Sequence, residues 1–99
     1  MTEPPVATVT AQTVANLARG VRLREDEVRG QTVLLAPERA LALDEVAVMI
    51  VKALDGERDL DAIALEFAAK FKAPKEQILT DVIAFVDEFS KRRMLELKS

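Results

Sequence analysis

The spacing of apolar residues changes once along the chain, from period two to period 3.6. Val21-Arg22-Leu23-Arg24 alternates apolar and charged residues, as a half-buried strand does. Arg29-Gly30-Gln31 predicts a turn, because glycine accepts positive φ. An earlier turn at Glu25-Asp26-Glu27 would shift the pairing register. Thr32-Val33-Leu34-Leu35-Ala36 is β-branched and apolar and suits a central strand. Pro37-Glu38-Arg39 predicts a second turn, and Ala40-Leu41-Ala42-Leu43 a short third strand with Leu41 and Leu43 on one face. The expected unit is a three-stranded antiparallel meander.

Three helices are expected after it. Asp44 suits an N-cap before Val46, Ala47, Ile50, Val51 and Leu54, and Gly56 suits a stop. Asp59 caps a second run, in which Leu60, Ile63, Ala64, Phe67, Ala68 and Phe71 recur at helical spacing. Pro74 fits the first turn of a third helix reaching about Arg93, with Ile78, Val82, Phe85 and Phe89 as its central stripe. The pairs Phe67/Phe71 and Phe85/Phe89 stand four residues apart on apolar faces, where they are expected to pack the core. Together these elements predict an α+β fold.

The first 17 residues carry one charge, Glu3, and the pair Pro4-Pro5. They are expected to form a flexible tail or linker, dispensable for folding up to Val14, ahead of a domain over residues 18–97.

Composition narrows the function. The 99 residues contain no Cys and no His, which removes disulfides, thiolate nucleophiles, the commonest general base and the commonest metal ligand. No phosphate-cradling glycine loop is present. The densest acidic stretch, Asp55 to Asp61, lacks the spacing of a calcium loop. Catalysis, a cofactor and a metal are therefore not expected. A net charge of −3 argues against bulk attraction to nucleic acid. The longest apolar run, Val46–Val51, is far below the ~20 residues of a membrane helix. No signal-peptide pattern opens the chain, so a cytoplasmic location is expected.

Binding remains. The last strand of the meander has a free edge, and neither Lys nor Pro interrupts Ala40–Leu43. At ~100° per residue the apolar positions of the third helix sweep about 160°, wider than the ~100° stripe of an ordinary surface helix. Leu79, Ile83 and Val86 form one margin of that arc. An open edge beside an apolar helix flank is a groove for an extended peptide.

Specific residues then point to a family. Arg19-Gly20-Val21-Arg22-Leu23-Arg24, Asp26-Glu27-Val28-Arg29-Gly30-Gln31, Val33-Leu34-Leu35-Ala36-Pro37-Glu38-Arg39, Leu43-Asp44-Glu45 and Asp55-Gly56 resemble the PqqD family, with the likeness reaching from about Arg19 to Leu95. Asp59 stands where related domains often carry Ser or Thr, and it still serves as a cap. The resemblance implies three strands followed by three helices, related to winged helix-turn-helix domains. It implies a recognition element for precursor peptides of ribosomally made, modified products. By that resemblance the chain is a peptide chaperone of pyrroloquinoline quinone biosynthesis. It would hold the precursor PqqA and present it to the radical SAM enzyme PqqE, which cross-links a Glu and a Tyr of the peptide. The peptide would add as a strand beside the third strand and against the third helix. The candidate peptide-binding residues are Arg39, Ala40, Leu41, Ala42, Leu43, Leu79, Ile83 and Val86. The domain also occurs fused to PqqC, so the Pro-containing tail could be a linker.

Two other readings compete. A winged-helix DNA-binding protein would use Pro74–Arg93 as its recognition helix, but Glu76, Asp81, Asp87 and Glu88 on that helix oppose phosphates. A structural dimer would pair its edge strands instead of binding a peptide.

Overall fold

A computed structural model describes residues 9–98 of the chain. The segment of the expected tail that holds Pro4-Pro5 lies outside them. The elements in chain order are β1 (Val14–Leu17), β2 (Arg22–Asp26), β3 (Gln31–Ala36), β4 (Arg39–Leu43), α1 (Glu45–Ala53), β5 (Asp55–Asp59), α2 (Leu60–Phe71), α3 (Lys75–Lys91) and β6 (Leu95–Lys98).

The expected meander forms as the sheet β2-β3-β4. Asp26 pairs with Gln31, so the first hairpin turns through Glu27–Gly30 and not at Glu25-Asp26-Glu27. Gly30 sits at φ 65° in that turn, where a side chain would be strained. Ala36 pairs with Arg39, which leaves Pro37-Glu38 as a two-residue turn. Proline presets the first turn position, and Glu38 takes φ 66° at the second. Leu23, Leu34 and Leu41 face each other across the three strands, and Leu34 is fully buried.

The helices begin where their caps predict. Asp44 accepts a hydrogen bond from the Ala47 N–H at 2.8 Å, and Asp59 accepts one from the Ala62 N–H at 2.8 Å. Pro74 precedes α3 and offers no side-chain cap. The α+β class and the order of meander and helices stand. Three strands were not expected. β1 lies inside the stretch read as a tail, β5 occupies the Asp55–Asp59 connection, and β6 follows a third helix that ends at Lys91, short of Arg93.

These three strands form a second sheet, β5-β1-β6, with β1 at its centre. Its pairings are long-range: Leu17 opposes Leu95 and Val14 opposes Lys98. The flexible-tail expectation is corrected from Val9 onward, because Val9, Thr13 and Ala15 are buried. Val9 and Ala15 pack in the main core with Leu60, Ile63, Val82 and Val86. A smaller cluster of Val21, Leu34, Val51 and Met94 joins the meander to the helices. Phe85 and Phe89 pack against both clusters.

Candidate functional site

The strand β4 is one edge of its sheet, hydrogen-bonded only to β3 among the described residues. Ala36 and Arg39 close a two-residue hairpin as a hydrogen-bonded pair. Alternation along the ladder then turns the N–H groups of Ala40 and Ala42 toward the free edge. The other sheet edges carry charge: Arg22, Arg24, Glu25 and Asp26 on β2, Asp55, Glu57, Arg58 and Asp59 on β5, Glu96 and Lys98 on β6. Charges of this kind discourage an added strand. β4 has none from Ala40 to Leu43.

Beside β4 lies an open groove of about 410 Å³. Ala42 and Leu43 form its strand side, Val46, Ala47 and Ile50 of α1 its end, and Asp81, Phe85 and Phe89 of α3 its helix side. α1 takes part because it begins one residue after β4, so Asp44 caps it at the groove mouth. The rings of Phe85 and Phe89 stack with centroids 4.1 Å apart and 14° between planes. Arg39, the first residue of β4, donates from Nη2 to the Arg92 carbonyl at 2.7 Å. That bond fastens the start of the strand to the end of α3, where the helix dipole favours a cation. The Arg92 guanidinium in turn stands 5.8 Å from the Phe89 ring centre.

The structure brings together only part of the residue set expected from sequence. Ala42 and Leu43 line the groove, Arg39 does not line it but is tied to the end of α3, and Leu41 packs inward on the smaller cluster. Ala40 faces a separate concavity with Arg24, Val33 and Leu35 on the outer side of the meander. The expected helix margin does not line this groove. Val86 is fully buried, and Leu79 and Ile83 pack on the main core. The α3 face that meets the groove carries Asp81, Phe85 and Phe89. Phe85 was expected to serve the core, yet it is half-buried and shared between core and groove. Val46, apolar and three residues past the end of β4, is 61% exposed at this groove, which helical spacing in the sequence does not reveal.

The perturbed titrating groups lie elsewhere. Backbone N–H groups of Arg58 and then Glu57 donate to Asp55 and hold its pKa down to about 2. Arg58 is raised by its hydrogen bonds to Glu66 and Asp55. These groups tie β5 to α2 and do not reach the groove. Among the described residues no group of three or more acidic side chains is placed to hold a metal ion. Among the described residues no helix is long and apolar enough to cross a membrane. The arrangement offers backbone donors, an apolar floor and a few rim charges, which suits holding a chain.

Comparison with known proteins places this geometry. The family model for coenzyme PQQ synthesis protein D (PqqD) matches residues 31–95. A PqqA binding protein of Rhizobium meliloti is 65% identical over 89 residues, covering 90% of this chain and 91% of the relative. A PqqA binding protein of Xanthomonas euvesicatoria is 44% identical, covering 90% of this chain and 97% of the relative. Among solved structures, the PqqD truncation of Methylobacterium extorquens PqqCD superposes with a TM-score of 0.78 at 39% identity, covering 89% of this chain and 94% of that one. That protein is a functional, stand-alone recognition element for ribosomally synthesized and post-translationally modified peptides. PqqD of Xanthomonas campestris matches with a TM-score of 0.57 at 42% identity, covering 81% of this chain and 89% of that one. The chain belongs to the PqqD family.

Proposed function

We propose that this PqqD-family chain binds the precursor peptide PqqA in pyrroloquinoline quinone biosynthesis and presents it to the radical SAM enzyme PqqE in the cytoplasm. It acts as a binding protein and catalyses nothing itself. The peptide adds as a strand along β4, and its apolar side chains rest on Leu43, Phe85 and Phe89. The observation that carries this reading is the contrast among sheet edges. β4 alone of the described edges is free of charge after its first residue, from Ala40 to Leu43, and it alone adjoins the groove of Ile50, Phe85 and Phe89. Backbone pairing then supplies affinity and the groove supplies side-chain selection. The names of the relatives in Rhizobium and Xanthomonas support PqqA as the peptide. Glu76, Asp81 and Glu88 on α3 disfavour the DNA-binding alternative.

Titration of the protein with PqqA peptide, by calorimetry and by backbone NMR, tests this. Shifts are expected along Ala40–Leu43 and at Phe85 and Phe89. Ala42→Pro removes a donor that faces the free edge and spares the ladder to β3. It should weaken binding tenfold or more, about 1.4 kcal/mol, while the circular dichroism spectrum stays that of the parent. Unchanged affinity in a folded Ala42→Pro variant would move the site to the outer face of the meander, around Val33 and Leu35.

A further inference from the structure

The groove beside β4 does not end at α1. Val46, Ile50 and Asp81 line it, and the same three residues line a second opening of about 300 Å³ on the far side of the α1 N-terminus. Met49, Phe67, Phe71 and Ile78 wall that opening, so each of the three helices contributes. The lining is strongly apolar, yet Phe71 at 48% and Val46 at 61% remain open to solvent. The rings of Phe67 and Phe71 meet edge to face with centroids 6.0 Å apart. A half-exposed Phe71 beside an exposed Val46 is a costly surface to leave bare. At the rim stand Glu45 and Asp81, neither in an ion pair among the described residues. Lys70 lies 5.7 Å from the Phe71 ring centre but does not line the pocket.

We infer that this pocket is a second subsite for the precursor peptide, taking a large apolar side chain that has a Lys or Arg next to it in the peptide. The inference rests on β4 being the strand-pairing edge, since the pocket continues that groove. Apolar walls select the anchor, and the two rim carboxylates select the neighbouring cation. Past Phe89, at the C-terminal end of α3, Arg39 donates to the Arg92 carbonyl, while the Arg92 guanidinium pairs with Glu88 at 2.8 Å. The trough is therefore acidic at its α1 end, and past its other end Arg39 stands outside any ion pair among the described residues. That polarity gives the bound peptide one favoured direction, with its cation toward α1.

The test compares PqqA peptide affinity for the parent and for Phe71→Ala, Glu45→Lys and Ala42→Pro, at low and at high salt. Phe71→Ala is expected to weaken binding about tenfold at both salts, because it removes apolar contact. Glu45→Lys is expected to weaken it about fivefold at low salt and less at high salt, as a screened charge requires. Glu45 is exposed, so this variant keeps the question decidable if Phe71→Ala fails to fold. Parent-like binding by both, with Ala42→Pro still defective, overturns the subsite and leaves the β4 groove standing. Parent-like binding by all three overturns both. Two other occupants count against the subsite. One is the chain's own first eight residues, revealed if a chain beginning at Val9 shifts the Phe71 resonances without peptide. The other is a second copy, revealed if sedimentation finds a dimer that Phe71→Ala dissolves.

Discussion

The two sheets are built in opposite ways. β2, β3 and β4 follow one another through turns of four and two residues, so each pairing is local. β5, β1 and β6 are gathered from three distant parts of the chain, with Leu17 against Leu95. Their outer edges differ as well. The second sheet ends in Asp-Gly-Glu-Arg-Asp on one side and Leu-Glu-Leu-Lys on the other, while the meander ends in Arg-Leu-Arg-Glu-Asp on one side and, after Arg39, in Ala-Leu-Ala-Leu on the other. The local sheet thus offers a partner a place to pair. The long-range sheet closes the chain on itself and protects its edges with charge. In this fold the part that is cheapest to form in loop entropy carries the edge proposed to bind, and the part that is dearest holds the two ends of the domain together.

The harshest way to break the contrast is to remove β1. A chain beginning at Ala18 loses the strand that joins β5 to β6, and with it Ala15, which is 1% exposed. The cooperative thermal transition should disappear, since a domain of this size has only ~5–15 kcal/mol to lose. A melting curve close to the parent's would mean that the meander and helices fold without the second sheet. Next in size is the centre of the meander. Leu34 is fully buried against Val51 and Met94, so Leu34→Ala should cost ~2–5 kcal/mol by denaturant titration. A cost below ~1 kcal/mol would show that the smaller cluster contributes little.

The same contrast explains what could be read from the sequence. The meander was legible because alternation in Val21–Arg24 is followed at once by turn residues, Gly30 and then Pro37. The helices were legible because Asp44 and Asp59 announce them. β6 also alternates, as Leu95-Glu96-Leu97-Lys98, but no turn residue names its partner: Leu95 pairs with Leu17, 78 residues earlier in the chain. Val14-Ala15-Asn16-Leu17 is too short and too mildly apolar to declare itself, and Ala15 owes its burial to strands far away in the chain. The groove was legible on its strand side, from the lack of charge at Ala40–Leu43. Its helix side was not. An arc of apolar residues on α3 says that two sides are covered, and only the packed core decides which one meets β4. The core took Leu79, Ile83 and Val86 and left Phe85 and Phe89 shared with the groove.

That division can be sharpened at Ile83, which packs against the main core and not the smaller cluster. Ile83 is half-buried, so Ile83→Ala should cost less than Leu34→Ala, ~1–2 kcal/mol. PqqA affinity measured well below the melting temperature should stay within about twofold of the parent's, a difference of ~0.4 kcal/mol. A tenfold loss of affinity in the folded variant would return the helix side of the site to the Leu79/Ile83 margin and displace Phe85 and Phe89 from it.

The smallest effect is expected at the charged edge of the second sheet. Asp55 opens β5 and accepts hydrogen bonds from the N–H groups of Arg58 at 3.0 Å and Glu57 at 2.9 Å, with Arg58 Nε at 3.1 Å. Those donors favour the carboxylate and lower its pKa from 3.8 to about 2 in the folded chain. A carboxyl whose folded pKa is depressed stabilises the fold above its unfolded pKa and loses that contribution as pH falls through the folded value. Asp55→Asn keeps an acceptor for the two N–H groups and cannot titrate. The parent should therefore melt slightly above this variant at neutral pH. The gap should hold down to about pH 4 and shrink as the pH falls toward 2. Because Asp55 is exposed, added salt should narrow the gap at every pH. Affinity for PqqA should not change, since β5 and β4 belong to different sheets. A gap independent of pH would show that the turn at Asp55 holds β5 through hydrogen-bond geometry alone. A change in PqqA affinity would show that the second sheet also communicates with the binding edge.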